Sequence, residues 1–176
     1  MIAEGVLDGV DKVFGCHLWS PLPVGTVVLR SGAIMAAADK FEVEIIGKGG
    51  HGALPHQTVD AVMIASHVVV NLQSIISRQL DPLRSGVISI GQIEGGNAFN
   101  VIAETCRLAG TVRSFEPEVR QMLAERIEEV IQNTCAMFKA RYQLRYERGY
   151  PAVYNHPEET EFVRKIARHV VGAENV

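Results

Sequence analysis

The chain has 176 residues, of which 47% are hydrophobic and 21% are charged, and its formal net charge is -3. These proportions are typical of a soluble globular protein, and the length permits one good-sized domain or one small domain plus fragments. The slight negative charge gives no reason to expect nucleic acid or an anionic membrane as a partner. The three cysteines form neither a disulfide framework nor a CxxC metal pair. The first residues lack the basic region and apolar core of a signal peptide, and no uninterrupted apolar run reaches about 18 residues. We therefore expect a cytoplasmic protein.

The beginning of the chain resembles strands of a buried sheet. Residues 11–19 (DKVFGCHLW) and residues 25–32 (GTVVLRSG) are short apolar runs of the kind that buried strands use. Pro21 and Pro23 between them favour an extended turn. We expect residues 1–36 to belong to a sheet separate from the rest of the chain.

The middle of the chain shows a repeating order of strands and helices. Residues 40–46 (KFEVEII) alternate apolar and charged side chains, which is the pattern of a half-buried strand. The elements that follow are a helix capped by Thr58 and ending near Arg78, strands over 86–96 and 105–115, a helix with Pro117 in its first turn, and a strand over 141–151. This β-α-β-β-α-β order predicts a ferredoxin-like α+β fold, in which two helices cover one face of a four-stranded antiparallel sheet.

The end of the chain predicts one more helix, over residues 157–171, with apolar side chains on one face. This helix does not fit inside the ferredoxin-like unit. We therefore expect three segments: residues 1–36, residues 37–150, which form the ferredoxin-like domain, and residues 151–176.

A glycine-rich segment with two histidines joins the first strand of that domain to its first helix. It reads GKGGHGALPH and contains His51 and His56. Glycines allow backbone conformations that other residues avoid and let a ligand approach closely. The segment is either an ordinary connector with surface histidines or a loop that presents His51 to a ligand, and His56 is better suited to ordering the loop. The residues alone leave both interpretations open.

Five motifs together resemble a known family. They are FGCHLWSPLPVGTV, GKGGHGALPH, EGGNAFNVI, GTVRSF and RGYPAVYNHPE, in this order along the chain. The set resembles the M20 family of metallopeptidases, and most closely its amidohydrolase branch of hippurate hydrolases, N-acyl-amino-acid amidohydrolases and hydrolases of indoleacetic-acid conjugates. The resemblance implies that residues 37–150 are the lid, or dimerisation, domain. It implies that residues 1–36 and 151–176 are parts of an α/β catalytic domain, so that the chain is a fragment of a longer enzyme.

The resemblance also assigns roles to two histidines. His17 matches a metal-ligand histidine, and imidazole suits zinc, manganese, cobalt or nickel. From the residues alone, His17 is instead a buried histidine bonded to the backbone. His51 matches a histidine that the lid sends into an active site, usually that of the partner subunit, where it stabilises the oxyanion formed from the amide carbonyl.

Two further residues match positions that hold the substrate's carboxylate or carbonyl. Arg113 has the planar donor fork that suits a carboxylate, and Asn100 follows the double glycine of EGGNAFNVI. From the residues alone, Arg113 is equally well a charge on a polar sheet face and Asn100 a turn former. Ala103 stands where the family usually has proline, which puts the rigidity of this loop in question.

The function implied by the resemblance is hydrolysis of the amide bond of N-acyl amino acids, including hippurate-like conjugates. The full-length enzyme is expected to hold two divalent metal ions, zinc or manganese, with cobalt and nickel also suited. With His17 as the one recognised ligand, we expect the chain alone to bind no metal stably and to be inactive. The alternative is a stand-alone dimerisation module without catalysis, which the broad apolar arc of the first helix and the strand over 86–96, placed at a sheet edge, both favour. In either case we expect a homodimer formed through the lid. An RNA-binding domain of the same topology is disfavoured, because the strand over 105–115 lacks the central stacking aromatics.

Overall fold

The computed structural model describes residues 2–176, which form two compact units. Arg30–Pro157 is the larger one, called here the sheet unit, and the chain before Arg30 together with Glu158–Val176 is the terminal unit. Within residues 2–176 the strands are β1 Gly32–Met35, β2 Ala37–Ile46, β3 Gly50–His51, β4 Gly86–Gly95, β5 Val101–Ile102, β6 Thr105–Ser114, β7 Arg141–Glu147 and β8 Val153–Asn155. The α-helices are α1 Ala61–Ser74, α2 Pro117–Met137 and α3 Pro157–Val171.

The sheet unit has the predicted ferredoxin-like fold. Its main sheet has four strands in the order β4-β6-β2-β7, and every neighbouring pair is antiparallel. Helices α1 and α2 pack against each other and against the sheet, with α1 over β4 and β6 and α2 over β6 and β7. The α+β fold predicted from the alternation of strands and helices is therefore confirmed.

The strands bury alternate side chains, as their sequences predict. On β2, Phe41, Val43 and Ile45 face the helices and are almost completely buried. On β6, Cys106, Leu108 and Val112 do the same, because successive side chains of a strand point to opposite faces. The opposite side of the sheet, called here the open face, carries mostly polar and charged residues. They include Lys40, Glu42, Glu44, Thr111 and Arg113.

Helix α1 begins two residues later than Thr58 would place it. The carboxylate of Asp60 accepts hydrogen bonds from the backbone N–H groups of Val62 and Met63 at 3.0 and 3.1 Å, which is the geometry of an N-cap. The Thr58 hydroxyl instead donates to the carbonyl of Pro55. The predicted Thr58 cap is therefore wrong, because the Thr58 side chain is used within the preceding turn.

Helix α1 and the π-helical turn that follows it, Ile75–Gln79, run along the whole of β4. A Cβ placed on Gly95 would lie 2.9 Å from Val62, and one placed on Gly86 would lie 3.5 Å from Ile76. By length and average hydropathy, Ala61–Gln79 would be able to cross a membrane. One side of it is nevertheless buried in the core of the sheet unit, as a core helix is.

The terminal unit differs from the prediction. Residues 10–19 form no strand, and their side chains are exposed, including Leu18 at 92%. Residues 25–31 also form no strand, and Val27 N–H donates to the carbonyl of Asn175 at 2.8 Å. The strands predicted over 11–19 and 25–32 are therefore wrong, because no strand of the described chain lies beside them to complete a ladder. Helix α3 is present over the predicted residues.

Two short strand pairs were not predicted. Strands β1 and β8 form an antiparallel ribbon in which Gly32 lies opposite Asn155 and Met35 opposite Val153. Strands β3 and β5 form the second pair. The predicted domain borders are at residues 36 and 151, whereas the two compact units divide at residues 30 and 157. The β1–β8 ribbon lies in the stretches between these two sets of borders, so the domain borders remain a prediction.

Candidate functional site

The glycine-rich segment and the loop before β6 form one structural feature, called here the histidine tip (residues 50–54 and 98–102). It consists of two turns, in which Leu54 N–H donates to the carbonyl of His51 at 2.8 Å and Val101 N–H donates to that of Ala98 at 3.3 Å. His51 pairs with Val101 across β3 and β5. Gly52 N–H donates to the carbonyl of Asn100 at 2.8 Å and thereby ties the two turns together.

Glycine is required at position 52 by this close approach. A Cβ there would lie 2.8 Å from the carbonyl oxygen of Asn100, the same atom that accepts the Gly52 N–H. Carbon and oxygen atoms that are not bonded to each other normally stay well beyond 3 Å, so a larger residue would force the turns apart. The last glycine of GGHG is therefore explained by the packing of the two turns.

The ring of His51 is exposed, and one backbone hydrogen bond favours one of its tautomers. Its Nδ1 accepts a hydrogen bond from the backbone N–H of Ala53 at 3.1 Å. A nitrogen that accepts carries no proton, so in the neutral ring the proton sits on Nε2. No group of residues 2–176 bonds to Nε2, and the ring therefore offers a free N–H donor to solvent or to a ligand. No sequence pattern points to Ala53, because its contribution is a backbone N–H.

Asn100 lies in the same tip as His51. Its backbone carbonyl accepts the Gly52 N–H, and its exposed side-chain amide makes no hydrogen bond to the described part of the chain. The structure thus brings together two of the residues that the resemblance singled out, although they are far apart in sequence.

Arg113 lies at the other end of the sheet. It sits on β6 opposite Ala38 of β2 and Val87 of β4, whereas the tip adjoins the start of β6 at Thr105. Eight residues of strand separate these ends by roughly 27 Å at about 3.4 Å per residue. Arg113 of one chain therefore does not share a small ligand with His51 of the same chain.

The guanidinium of Arg113 lies on the open face of the sheet. Its Nη1 donates to the carbonyl of Val112 at 3.0 Å and also contacts the hydroxyl of Thr111. No carboxylate of residues 2–176 forms an ion pair with it. Its remaining donors are available to an anion, so the geometry suits both a carboxylate ligand and a solvated charge.

His17 lies in the terminal unit and is exposed, which corrects the interpretation of a buried histidine. Its Nδ1 lies 2.6 Å from the carbonyl of Leu18, and its ring meets that of Trp19 edge-on at 5.4 Å. Because a carbonyl only accepts, Nδ1 carries the proton and Nε2 has a free lone pair, which is the arrangement that metal-binding histidines use. Residues 2–176 contain no group of three or more His, Cys, Asp or Glu that could hold a metal. His17 therefore has a ring nitrogen free to bind a metal, but no cluster of three ligand side chains that could complete a two-metal centre is found among the described residues.

Comparisons with known proteins match the whole chain. A family model described as a peptidase dimerisation domain matches residues 37–137. YhaA of Bacillus subtilis (strain 168) is 49% identical over 100% of this chain and 44% of its own length. The N-acyl-L-amino acid amidohydrolase of Geobacillus stearothermophilus is 45% identical over 90% of this chain and 43% of its own length.

A solved structure agrees with this result. The crystal structure of the Bacillus subtilis YXEP protein, described as a dinuclear metal binding peptidase from the M20 family, matches with a TM-score of 0.72 and 29% identity. The match covers 96% of this chain and 42% of that one. The chain therefore spans less than half the length of these relatives.

Proposed function

Because this chain belongs to the M20 peptidase family and contains its dimerisation domain, we propose that it is the lid-bearing part of a metal-dependent amidohydrolase that cleaves the amide bond of N-acyl amino acids. Membership confirms the resemblance seen in the five motifs. The substrate class, the partner and the roles of the site residues belong to the proposal. It is supported by the similarity to an N-acyl-L-amino acid amidohydrolase over most of the chain and by the exposed, oriented ring of His51.

The tautomer of His51 is the observation that carries the proposal. When an amide carbonyl is attacked, its oxygen gains negative charge, and a fixed N–H donor lowers the free energy of that state more than that of the substrate. Nε2–H of His51 is such a donor, because the bond from the Ala53 N–H to Nδ1 favours the tautomer with its proton on Nε2. Removal of one donor of this kind typically lowers kcat by about 10²–10³.

Asn100 and Arg113 would bind the rest of the substrate. The amide of Asn100 lies in the same tip as His51 and suits a carbonyl or carboxylate oxygen. The guanidinium of Arg113 suits the free carboxylate of the amino acid, which it can hold with two parallel hydrogen bonds. The separation of roughly 27 Å between the ends of β6 exceeds the length of an N-acyl amino acid. We therefore propose that each active site combines the tip of one subunit with Arg113 of another in a homodimer.

His17 would supply one metal ligand to the whole enzyme. Since residues 2–176 do not fit a two-metal centre alone, the described chain contributes substrate binding and charge stabilisation. We expect the purified chain to show no turnover of hippurate above a metal-only blank when Mn²⁺ or Zn²⁺ is added. Turnover would refute the view that the chain lacks a working centre.

The catalytic role of His51 is tested in the longest natural protein that contains this sequence. With hippurate as substrate, His51→Ala should lower kcat by about 10²–10³ with little change in KM. His56→Ala is the matched control, because His56 is an exposed imidazole five residues further along whose ring contacts only Gln57 among the residues described. An equal loss in both variants, or none in His51→Ala, would contradict the proposal.

A stand-alone dimerisation module is the second candidate. It is favoured by an exposed apolar surface made by the outer side of α1 and the free edge of β4. Among the strands of residues 2–176, β4 pairs only with β6, so one side of its backbone has no neighbour in the described sheet. The exposed apolar side chains beside it are Val62, Met63, Val70, Val87 and Ile93. An edge with few charges can pair with a copy of itself around a two-fold axis.

Light scattering coupled to size exclusion tests this second candidate. The chain should elute as a discrete dimer, and Val70→Glu should shift it toward monomer. Leu83→Glu is the control, because Leu83 is 94% exposed but lies in the turn before β4. A monomeric parent chain would exclude the module. A dimer without hydrolysis by the longer protein would favour the module over the enzyme.

A further inference from the structure

A buried carboxylate lies at one end of the main sheet, near the start of β2. The side chain of Asp39, on β2, is 1% exposed and faces the helices. It accepts hydrogen bonds from Arg120 Nε at 2.9 Å and Nη2 at 2.5 Å, from the Tyr146 hydroxyl at 3.1 Å and from the Gly149 N–H at 3.0 Å. A buried carboxylate needs such partners, because leaving water costs it several kcal/mol or more.

The same cluster holds both backbone groups of Gly149. While its N–H donates to Asp39, its carbonyl accepts from Arg120 Nη2 at 2.8 Å. The next residue is fixed as well, since the carbonyl of Tyr150 accepts from Ala38 N–H at 3.1 Å. A Cβ on Gly149 would lie 2.0 Å from the carbonyl oxygen of Ala38, so only glycine permits this contact.

These contacts lie at the base of the β1–β8 ribbon. Strand β1 ends two residues before Ala37, and β8 begins three residues after Tyr150. The chain passes between the two units just beyond the other end of the ribbon, at Leu29 and Arg30 and again at Pro157 and Glu158. Both connections of the sheet unit to the rest of the chain therefore run through the ribbon whose base the Asp39 cluster holds.

We propose that Asp39, Arg120 and Gly149 form a hinge clamp that fixes the direction in which the β1–β8 ribbon leaves the four-stranded sheet. Arg120 lies on α2, Asp39 lies on β2, and Gly149 lies in the segment after β7. The clamp therefore joins a helix and a strand to the backbone at the base of the ribbon. This role goes beyond the proposed function and does not require catalysis.

The charges of the clamp persist at neutral pH. Burial alone raises the pKa of Asp39, but hydrogen bonds from Arg120, the Gly149 N–H and Tyr146 outweigh it and hold the pKa below its usual value. The pKa of Tyr146 is raised by burial and by the neighbouring carboxylate, so its hydroxyl remains a donor. A buried ion pair often adds little net stability, which fits a role in geometry.

Spin-label distances in the full chain test the clamp. One label is placed on β8 at Tyr154→Cys and the other on the sheet at Gln143→Cys, in a background in which the exposed Cys16 is replaced by serine. The parent should give a single narrow distance distribution. Gly149→Ala and Arg120→Leu should each broaden it at least twofold. Arg126→Leu, on the same helix but in an exposed pair with Glu129, should leave it unchanged.

A second pair of labels lies on the main sheet alone, at Gln92 on β4 and Gln143 on β7. It distinguishes loss of the clamp from a general loosening of the sheet unit. This distance should stay narrow in every variant. The proposal is overturned if the ribbon distance does not broaden in a folded variant, or if the sheet distance broadens equally. If Arg120→Leu does not fold, Gly149→Ala decides alone, because it keeps every charge in place.

Discussion

The packing of the histidine tip predicts that Gly52→Ala separates His51 from Asn100 without unfolding the sheet unit. The new Cβ would lie 2.8 Å from the Asn100 carbonyl oxygen and 3.1 Å from its carbonyl carbon. Both are backbone atoms, so no side-chain rotation relieves the contact. The two turns must move apart, and the bond from residue 52 N–H to the Asn100 carbonyl is lost.

The expected size of the effect comes from that one bond. A backbone hydrogen bond contributes about 1 kcal/mol net, which corresponds to about a fivefold change in an equilibrium constant. We therefore expect local opening of the tip to increase about fivefold. The free energy of global unfolding should change by about 1 kcal/mol or less, because the tip contributes no residue to the buried core cluster.

Native-state hydrogen exchange measures this directly. The amide of Leu54, bonded to the His51 carbonyl, should exchange about fivefold faster in Gly52→Ala, and nitrogen shifts of the His51 ring should show a mixture of tautomers. Gly91→Ala is the control, because a Cβ there meets nothing within 4 Å. Unchanged exchange at Leu54 together with a single His51 tautomer would refute the account of the tip.

Three further predictions concern the stability of the sheet unit, measured by urea unfolding followed by far-ultraviolet circular dichroism. Asp60→Ala removes the acceptor for two N–H groups of α1 and should lower the unfolding free energy by about 1 kcal/mol, whereas Thr58→Ala should cost less. Gly110→Ala puts a Cβ 2.4 Å from two ring carbons of Phe41 and 2.8 Å from the backbone oxygen of Ser89, and should cost about 1–3 kcal/mol. Combining it with Phe41→Leu should recover the part of that loss that comes from the ring, and simple additivity would contradict the contact with Phe41. Since the folded pKa of Asp39 is lowered, its contribution is present above its unfolded pKa of about 3.9 and is lost as pH falls through the folded value. The urea midpoint should therefore drop more between pH 5 and pH 3 in the parent than in Asp39→Asn, and equal drops would contradict this assignment.

The main sheet could be predicted from the sequence because alternating apolar and polar residues show which side of each strand is buried. The alternation around Phe41 and Leu108 fixes which face is covered, and the helices between the strands fix the topology. The helix start was harder to predict. Thr58 and Asp60 are both good capping residues, and the choice depends on the Pro55 turn that occupies the Thr58 hydroxyl.

Features made by distant segments could not be predicted. The β1–β8 ribbon joins residues more than a hundred positions apart, and neither strand is long enough to show a period. The site has the same limit. The motifs identified His51 and Asn100 separately, whereas their contact through Gly52 and the tautomer set by Ala53 depend on backbone groups. The apolar runs over 11–19 and 25–32 predicted strands because periodicity cannot tell whether a neighbouring strand is available.

The two edge strands of the main sheet differ in charge, and this difference matters while the chain is being synthesised. Edge strand β7 carries Arg141, Arg145 and Glu147, whereas β4 carries a single charge, Glu94, near its end. During translation β4 leaves the ribosome before β6, its one neighbour in the sheet, and at about 5–20 residues per second it waits on the order of a second without any neighbour. An edge strand with a single charge can pair with another chain while it waits for its neighbour. The edge best suited to recognising a second copy is thus also an edge at which newly made chains can pair wrongly.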